Sequence, residues 1–384
     1  MTLAIDGGTP TVRGHIRPYF SISMAECDAA ASVVGAWPLS GFLGGQQRGG
    51  SWVTKLENKW AERFGVKHAI ACNSATSGLL AAAQAIELGA GARFICSPLT
   101  MSATAAAPAM TGAEPYFIDV RPDTFCLDPA RAVLIAPTEA VFLTHLFGLA
   151  YQEVEWKGWC KSHDCKLIVD AAQAPFAHDN DVLAGTAADL GVYSLNVHKH
   201  IQCGEGGIVV THDDALAASV RRFINHGELA GGRLGLNLRM TEVVAAIALV
   251  QLRRAEELIE SRIEQAEQLL AAIGDVPGLV PQFVPHGCKH VYYTLAFTYD
   301  GDRSAFVAAL QAEGVPLTEG YAPIHRLRAF RSNALCPIAA ELHDRTLFYF
   351  ENCAYSPTRE QIAQIGEAFR KVAEHADRRA LHRA

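Results

Sequence analysis

The segment Asp189-Leu-Gly-Val-Tyr-Ser194-Leu-Asn196-Val-His198-Lys199-His200-Ile-Gln-Cys-Gly-Glu-Gly-Gly207 joins two apolar runs, Leu190 to Ser194 and Gly207 to Thr211, across a loop that holds a single lysine. Short β-branched runs bounded by glycine and polar residues read as buried strands. Lys199 is then an amine held between two strands, and a candidate Schiff-base nucleophile. Upstream, Lys166-Leu-Ile-Val-Asp170 reads as another buried strand. It ends in an acidic residue where α/β sheets present groups to a ligand crevice.

The chemistry asks for these residue types. A lysine attacks a carbonyl only as the free amine, so its pKa has to fall from about 10.4 through desolvation or nearby positive charge. A short loop with His198 and His200 on either side of Lys199 is a place where this can happen. A carboxylate beside a pyridine nitrogen keeps that nitrogen protonated and lets the ring accept electrons, which suits Asp170 to pyridoxal 5′-phosphate (PLP). Gln173 is close enough in sequence to reach the ring's 3-oxygen. Taken singly, Lys199 reads equally as a solvated surface amine and Asp170 as the cap of a following helix.

A third segment joins them. His68 to Cys72 reads as a strand, Asn73-Ser74-Ala75-Thr76-Ser77-Gly78 as a tight turn, and Leu79 to Leu88 as a helix closed by Gly89. A strand, a polar turn and a helix N-terminus present free backbone amides to a phosphate, and the hydroxyls of Thr76 and Ser77 add donors.

In this order the motifs resemble the DegT/DnrJ/EryC1/StrS aminotransferase family, the sugar aminotransferases of PLP fold type I. The resemblance runs from Ile5-Asp-Gly-Gly-Thr-Pro through Leu56-Glu57, Asn73-Ser-Ala-Thr, Asp119-Val-Arg-Pro-Asp, His145-Leu-Phe-Gly, Asp170-Ala-Ala-Gln and Gly204-Glu-Gly-Gly to Asn237-Leu-Arg-Met. It implies Lys199 and Asp170 as the catalytic pair and Gln173 beside the 3-oxygen. Ser74, Ala75, Thr76, Ser77 and Ser194 would surround the phosphate. Asn237 would reach the cofactor of a second subunit, so that the enzyme is a homodimer with shared sites. Met101 stands where the family usually stacks an aromatic ring on the cofactor, and Asn196 where many relatives carry histidine. Leu39 and Ser40 fall in the family's early loop over the site, and Tyr321 and His325 in its small-domain segment facing the cleft. With His198 and His200 they are the substrate candidates. The related dehydratases replace the lysine with histidine, and Lys199 argues against that branch.

The implied activity is transfer of an amino group from glutamate or glutamine to a keto sugar, nucleotide-linked in much of the family. It proceeds by a ping-pong cycle through pyridoxamine 5′-phosphate. A free cyclitol ketone, an aminoglycoside intermediate or a keto-ulosonate is the alternative acceptor. Arg233, Arg239, Arg326 and Arg328 are candidates to hold a diphosphate. Two other classes stand beside this: a PLP-binding regulator without catalysis, and a nicotinamide-dependent oxidoreductase whose best fingerprint, Gly89-Ala-Gly91, follows a helix and lacks the third glycine.

Composition sets the surroundings. The chain has 384 residues, half of them apolar, and a net charge of −7 with both signs interspersed. That is enough to bury a large core, with no basic cluster suited to nucleic acid. Neither a signal-like N-terminus nor a run able to span a bilayer is read, so a cytoplasmic protein is expected. The ten cysteines are scattered and read as reduced core thiols. His198-x-His200 and His286-x-Cys288-x-His290 lack a convincing fourth ligand, so no metal is expected.

The fold expectation is α/β. A large domain, residues 1–245 with the N-terminal arm, carries a mostly parallel seven-stranded sheet between helices, and residues 246–384 form a smaller α+β domain. The strands fall at Ala69–Cys72, Arg93–Ser97, Glu114–Asp119, Ala140–His145, Lys166–Asp170, Leu190–Ser194 and Gly207–Thr211. Thr241 opens one long helix that turns charged in its second half. Val291 to Tyr299 reads as a strand, Asp302 to Glu313 as a helix, and Thr358-Arg-Glu-Gln361 as a capping box.

Overall fold

The computed structural model describes residues 2–42, 48–132, 137–227, 234–330 and 332–381. Seven strands form the principal sheet: β1 His68–Cys72, β2 Arg93–Cys96, β3 Glu114–Phe117, β4 Ala140–Thr144, β5 Lys166–Asp170, β6 Leu190–Ser194 and β7 Gly207–Thr211. Their order is β1-β7-β6-β5-β4-β2-β3, and β7 alone among them runs antiparallel to its neighbours. Strands β4, β6 and β7 are buried along their whole length because both faces are covered, whereas β3 leaves Glu114 and Tyr116 exposed. Along β1, Ala69 and Ala71 pack on one side and Ile70 and Cys72 on the other; along β5, Leu167 and Val169 oppose Ile168. A period of two with apolar residues at every step is the mark of a strand sandwiched between helices.

Helices α1 Met24–Ala36, α2 Ser51–Phe64, α3 Ala75–Ala85, α4 Ala103–Ala109, α5 Glu153–Ser162 and α6 Asp214–Ile224 surround the sheet. Local chemistry sets several of their ends. Ser23 and Glu26 close a capping box on α1, Asp213 caps α6 by accepting from the N–H groups of Ala215 and Leu216, and Gly65 ends α2 in the left-handed region. The turn expected at Asn73–Gly78 is instead largely the first turn of α3. Ser74 is its cap, and the helix ends at Ala85, ahead of Gly89, with Glu87 beyond it at φ 59°. Fully buried Glu57 on α2 accepts two hydrogen bonds from Arg221 on α6 and one from the Ala71 N–H of β1, locking both helices to the edge strand.

The single long helix expected from Thr241 is two, α7 Glu242–Arg253 and α8 Ala255–Ile273, separated at Arg254. α7 packs against α1 and α2. Along α8 the apolar contacts change partners: Ala255, Leu258, Ile259 and Ile263 join the core of the principal sheet, while Ala266, Leu269 and Ile273 join a separate one.

That separate core lies against a four-stranded antiparallel sheet, β8 Leu279–Pro281, β9 Leu295–Tyr299, β10 Leu317–Glu319 and β11 Leu347–Phe350, in the order β8-β9-β11-β10. The helices α9 Arg303–Ala312, α10 Pro337–Glu341 and α11 Arg359–Leu381 complete this part of the chain. Its core also takes in Leu3, Val12 and Ile16 from the N-terminal arm. Buried Glu313 binds the arm through the N–H groups of Ala4 and Thr11. The strand expected from Val291 begins only at Leu295, and the four residues before it form a loop that returns at the functional site. Thr358 and Gln361 make the reciprocal capping box ahead of α11. No helix among the described residues is long and apolar enough to cross a membrane.

Candidate active site

Open α/β sheets bind ligands outside the carboxyl ends of their strands. Here those ends deliver Thr144 from β4, Asp170 from β5 and Ser194 from β6, while the segments after β1 and β2 supply Ser74, Ala75, Thr76, Thr100 and Met101. Together with Gln173, Asn196, His198, Lys199, Glu205, Tyr293 and Tyr321 they line one cavity of about 370 Å3.

Asp170 sits deep in this cavity. Its Oδ2 accepts a hydrogen bond from the Thr104 hydroxyl at 2.7 Å and its Oδ1 one from the Ala172 N–H at 3.1 Å. Burial pushes its carboxyl above the ordinary carboxylate range, opposed by those two hydrogen bonds and by the charge of Lys199. Thr104 is itself tied to Thr100 at 3.0 Å, and Thr100 to Thr144 at 3.1 Å, so three hydroxyls brace the acid. The Thr100-x-x-x-Thr104 spacing, one turn apart, was the signal in the sequence that could have found them.

Lys199 approaches the same space from the loop between β6 and β7. That loop is held by Lys199 N–H donating to Asn196 O, Val197 N–H to Gly204 O, and the Asn196 side chain to Glu205. The ammonium nitrogen lies 4.1 Å from the ring centre of Tyr293. Burial brings the amine down to about 8, against the opposing pull of Asp170 and Cys353. Desolvation therefore prepares the free amine, whereas the flanking histidines were expected to contribute. His198 does line the cavity. His200 is fully buried and points elsewhere, with its Nε2 on Val291 O at 2.8 Å, so it is a core histidine rather than a substrate contact.

At the phosphate end, Ser74 Oγ accepts the Ser77 N–H at 3.1 Å and donates to Ser77 Oγ. Ser77 is thus occupied by the cap and does not line the cavity. Thr76 is exposed there, and the N–H groups of Ala75 and Thr76 belong to the first turn of α3, where a helix leaves donors free. A Cβ on Gly207 of β7 would stand 2.6 Å from Ala75 N, so only glycine lets β7 run this close beneath the turn. A buried carboxylate, a desolvated amine and a helix N-terminus fit the pyridine nitrogen, aldehyde and phosphate of PLP.

Gln173 spans the cavity wall. Its Oε1 accepts the Phe147 N–H at 2.7 Å and its Nε2 donates to the Tyr321 hydroxyl at 3.2 Å. Tyr321 thereby belongs to the site. Met101 lines it too, half-exposed, with its sulfur accepting the Ala103 N–H. Leu39 and Ser40 lie outside it, exposed, Leu39 bonding through its carbonyl to the Glu242 N–H. His325 is buried beside Phe117 and likewise does not reach the cavity. Asn237 is exposed on the surface and accepts from Arg239. Tyr293 was hidden from sequence reading because its segment reads as strand. Among the described residues no group of three or more His, Cys, Asp or Glu side chains is placed to hold a metal ion.

Residues 42–370 match the DegT/DnrJ/EryC1/StrS aminotransferase family. The GDP-perosamine synthase of Caulobacter vibrioides is 33% identical over 290 residues, covering 72% of this chain and 78% of that protein. The L-glutamine:2-deoxy-scyllo-inosose aminotransferase of Streptomyces kanamyceticus is 29% identical, with 97% of both chains covered. Among solved structures, DesI in the presence of its TDP-sugar product matches with a TM-score of 0.87 at 27% identity, over 100% of this chain and 99% of that one. The aminotransferase from Psychrobacter cryohalolentis matches with a TM-score of 0.85 at 25% identity, over 94% and 100%. A match of this span, on a sheet that carries an amine and a carboxylate at its strand ends, places the chain in the DegT/DnrJ/EryC1/StrS aminotransferase family.

Proposed function

We propose that this chain is a PLP-dependent aminotransferase that moves an amino group from glutamate or glutamine to the ketone of a sugar or cyclitol in a ping-pong cycle. The observation that carries this is the convergence of Lys199, Asp170 and the N-terminus of α3 on one cavity. When bound, PLP supplies an electron sink for negative charge on the substrate carbon beside the transferred nitrogen.

The residues divide the work. Lys199 Nζ is the amine that would hold the cofactor through its carbonyl carbon. Asp170 would keep the pyridine nitrogen protonated, with Gln173 beside the 3-oxygen. Thr76, Ser194 and the amides of Ala75 and Thr76 would hold the phosphate, with Ser77 behind them as part of the cap. Lys199 Nζ, as a free amine, would take the proton from the donor's Cα and, in the second half, would deliver a proton to the former ketone carbon of the acceptor. Tyr293 covers the amine and limits water around it. A second copy of the chain would bring its Asn237 to the phosphate, so the working unit is a homodimer.

The same reading divides the chain into a cofactor-holding unit, residues 1–245, and a smaller unit, residues 246–384. The separate core of the second unit supports this, although α7, the first half of α8 and residues such as Ala296, Leu347 and Tyr349 pack with the first unit and the N-terminal arm packs with the second.

An absorbance spectrum tests the function. Addition of glutamine or glutamate alone should convert a band near about 410 to 430 nm into one near about 330 nm. Lys199→Ala should lose both the starting band and turnover. Turnover by that variant at the wild-type rate would sink the assignment, and no band after incubation with PLP would leave only a degenerate, non-catalytic site.

A further inference from the structure

A second cavity, of about 490 Å3, opens beside the first and shares His198, Tyr293 and Tyr321 with it. Through those three residues it adjoins the cavity that holds Lys199, which an acceptor's ketone has to reach. Family membership does not choose that acceptor, since the relatives include enzymes named for GDP-, dTDP- and UDP-linked sugars and for a cyclitol. The residues of this chamber bear on the choice.

Five of its lining residues are tyrosines: Tyr19, Tyr293, Tyr321, Tyr349 and Tyr355. Its charged member is Glu351, just past the end of β11. The Glu351 carboxylate has no cation and no side-chain hydrogen bond among the described residues. Its position is nonetheless fixed. The next residue, Asn352, is fully buried and donates to Arg262 O and Tyr292 O, while Gln265 donates to its Oδ1. One amide thus holds the Glu351 turn and the Tyr293 loop at a set separation. Burial first, then neighbours including Glu351, keeps the phenols of Tyr293, Tyr321 and Tyr349 well protonated, so each can donate as well as accept.

Of the arginines that could hold a diphosphate, none that is described lines this chamber. Arg239 donates to Asn237 and Asn225, Arg326 makes a bidentate pair with Asp344, and Arg328 is exposed and lines neither cavity. Arg233 lies outside the described residues. Arg262 is close by but spends its guanidinium on the Tyr19 ring face, Gln265 and the carbonyls of Asn352 and Tyr355.

We infer that this chamber takes an uncharged polyhydroxylated ring ketone, of the cyclitol or free keto-sugar class, and disfavours a nucleoside diphosphate. A free carboxylate accepts two neighbouring ring hydroxyls, phenols bond the others, and tyrosine faces cover the ring's C–H surface. A diphosphate would face that carboxylate as a like charge. The inference rests on the aminotransferase reading above, for which it names the acceptor.

The test uses the full-length holoenzyme. Glutamine first converts it to the amino form, read near about 330 nm. That form is then reacted with 2-deoxy-scyllo-inosose or with a dTDP-linked 4-keto-hexose. The expected kcat/KM ratio favours the cyclitol by about 100-fold or more, the discrimination open to a site built around specific polar contacts. Glu351→Gln should cut that ratio by about tenfold or more through loss of a charge-assisted contact, and Tyr349→Phe should cut it in the same direction. Calorimetry of the holoenzyme with dTDP, UDP and GDP should show no saturable binding at millimolar nucleotide. Saturable binding of any of them, or a ratio that favours the dTDP-sugar, overturns the inference. Failure of glutamine and glutamate to bleach the starting band defeats the aminotransferase reading instead, and calorimetry still reports on the chamber.

Discussion

Lys199 shows how burial can make a nucleophile. Its amine falls to about 8 because the surrounding groups exclude water, even though Asp170 and Cys353 pull the other way. Below that pH the protonated form predominates and cannot attack a carbonyl, so capture of PLP by cofactor-free protein should slow about tenfold per pH unit under about 8 and level off above it. Stopped-flow absorbance between pH 6 and 9.5 checks this, and a profile still rising about tenfold per unit up to pH 9.5 would mean an amine with its ordinary pKa. Asp170 depends on a neutral neighbour in a similar way. Thr104→Val removes the 2.7 Å hydrogen bond to its carboxylate at nearly constant volume. A charge-assisted hydrogen bond contributes about 1.5–3 kcal/mol, so kcat should fall about 10- to 100-fold, with Thr104→Ser restoring most of it. An unchanged kcat in the valine variant would show that Asp170 does not rely on the threonine cluster.

At the level of elements, the phosphate turn depends on two of them at once. Ser74 caps α3 from one side, and β7 presses Gly207 against the Ser74–Ala75 peptide from the other. Gly207→Ala puts a methyl where backbone atoms already stand, so α3 has to shift. The expected cost is about 1–3 kcal/mol of stability and at least about tenfold weaker PLP retention, read by thermal melting and cofactor titration. Normal retention would show that the turn tolerates displacement. The strands of this sheet were legible because each is a short apolar run ended by a polar residue, and the seven observed strands coincide with the seven expected to within a residue or two. That Asp170, Lys199 and Thr76 would meet in one cavity was legible because each ends or follows a strand of the same sheet within a recognisable motif. Legibility failed where long-range packing decides. Val291–Thr294 left the strand pattern because Asn352 and His200 bind its backbone from other segments, whereas the turn before Leu79 became helix through a local cap by Ser74. His200 stood out as a neighbour of Lys199, and His325 and Leu39 through the family resemblance of their segments, yet His200 bonds Val291 O and His325 packs on Phe117, contacts distant in the chain, and Leu39 is exposed away from the cavity.

On the scale of the whole molecule, two neutral histidines join the lysine loop to the segment between the two sheets. His200 donates from Nε2 to Val291 O, and His290 pairs its Nε2 with Gln282 while its Nδ1 accepts the Tyr292 N–H at 2.7 Å. Both are buried, and burial brings them down to about 4 and about 3 respectively, with Lys199 and Arg262 adding to the effect on His200 and His200 to that on His290. In the unfolded chain each would titrate near about 6.5. Between about pH 6.5 and 4 the unfolded state therefore binds protons that the folded state refuses, and stability falls as pH falls through that window. Below about pH 3 the folded state takes them up too, and this contribution levels off. Each such histidine adds at most about 1.4 kcal/mol per pH unit to the slope. Denaturant unfolding at pH 6, 5.5 and 5 should show this slope, and His290→Gln, which keeps a polar partner for Gln282, should lower it by close to one proton. The slope rather than the absolute stability carries the answer, so a weakened variant still reports. An identical slope in wild type and variant would mean that His290 is protonated in the fold, which its N–H-accepting Nδ1 does not allow.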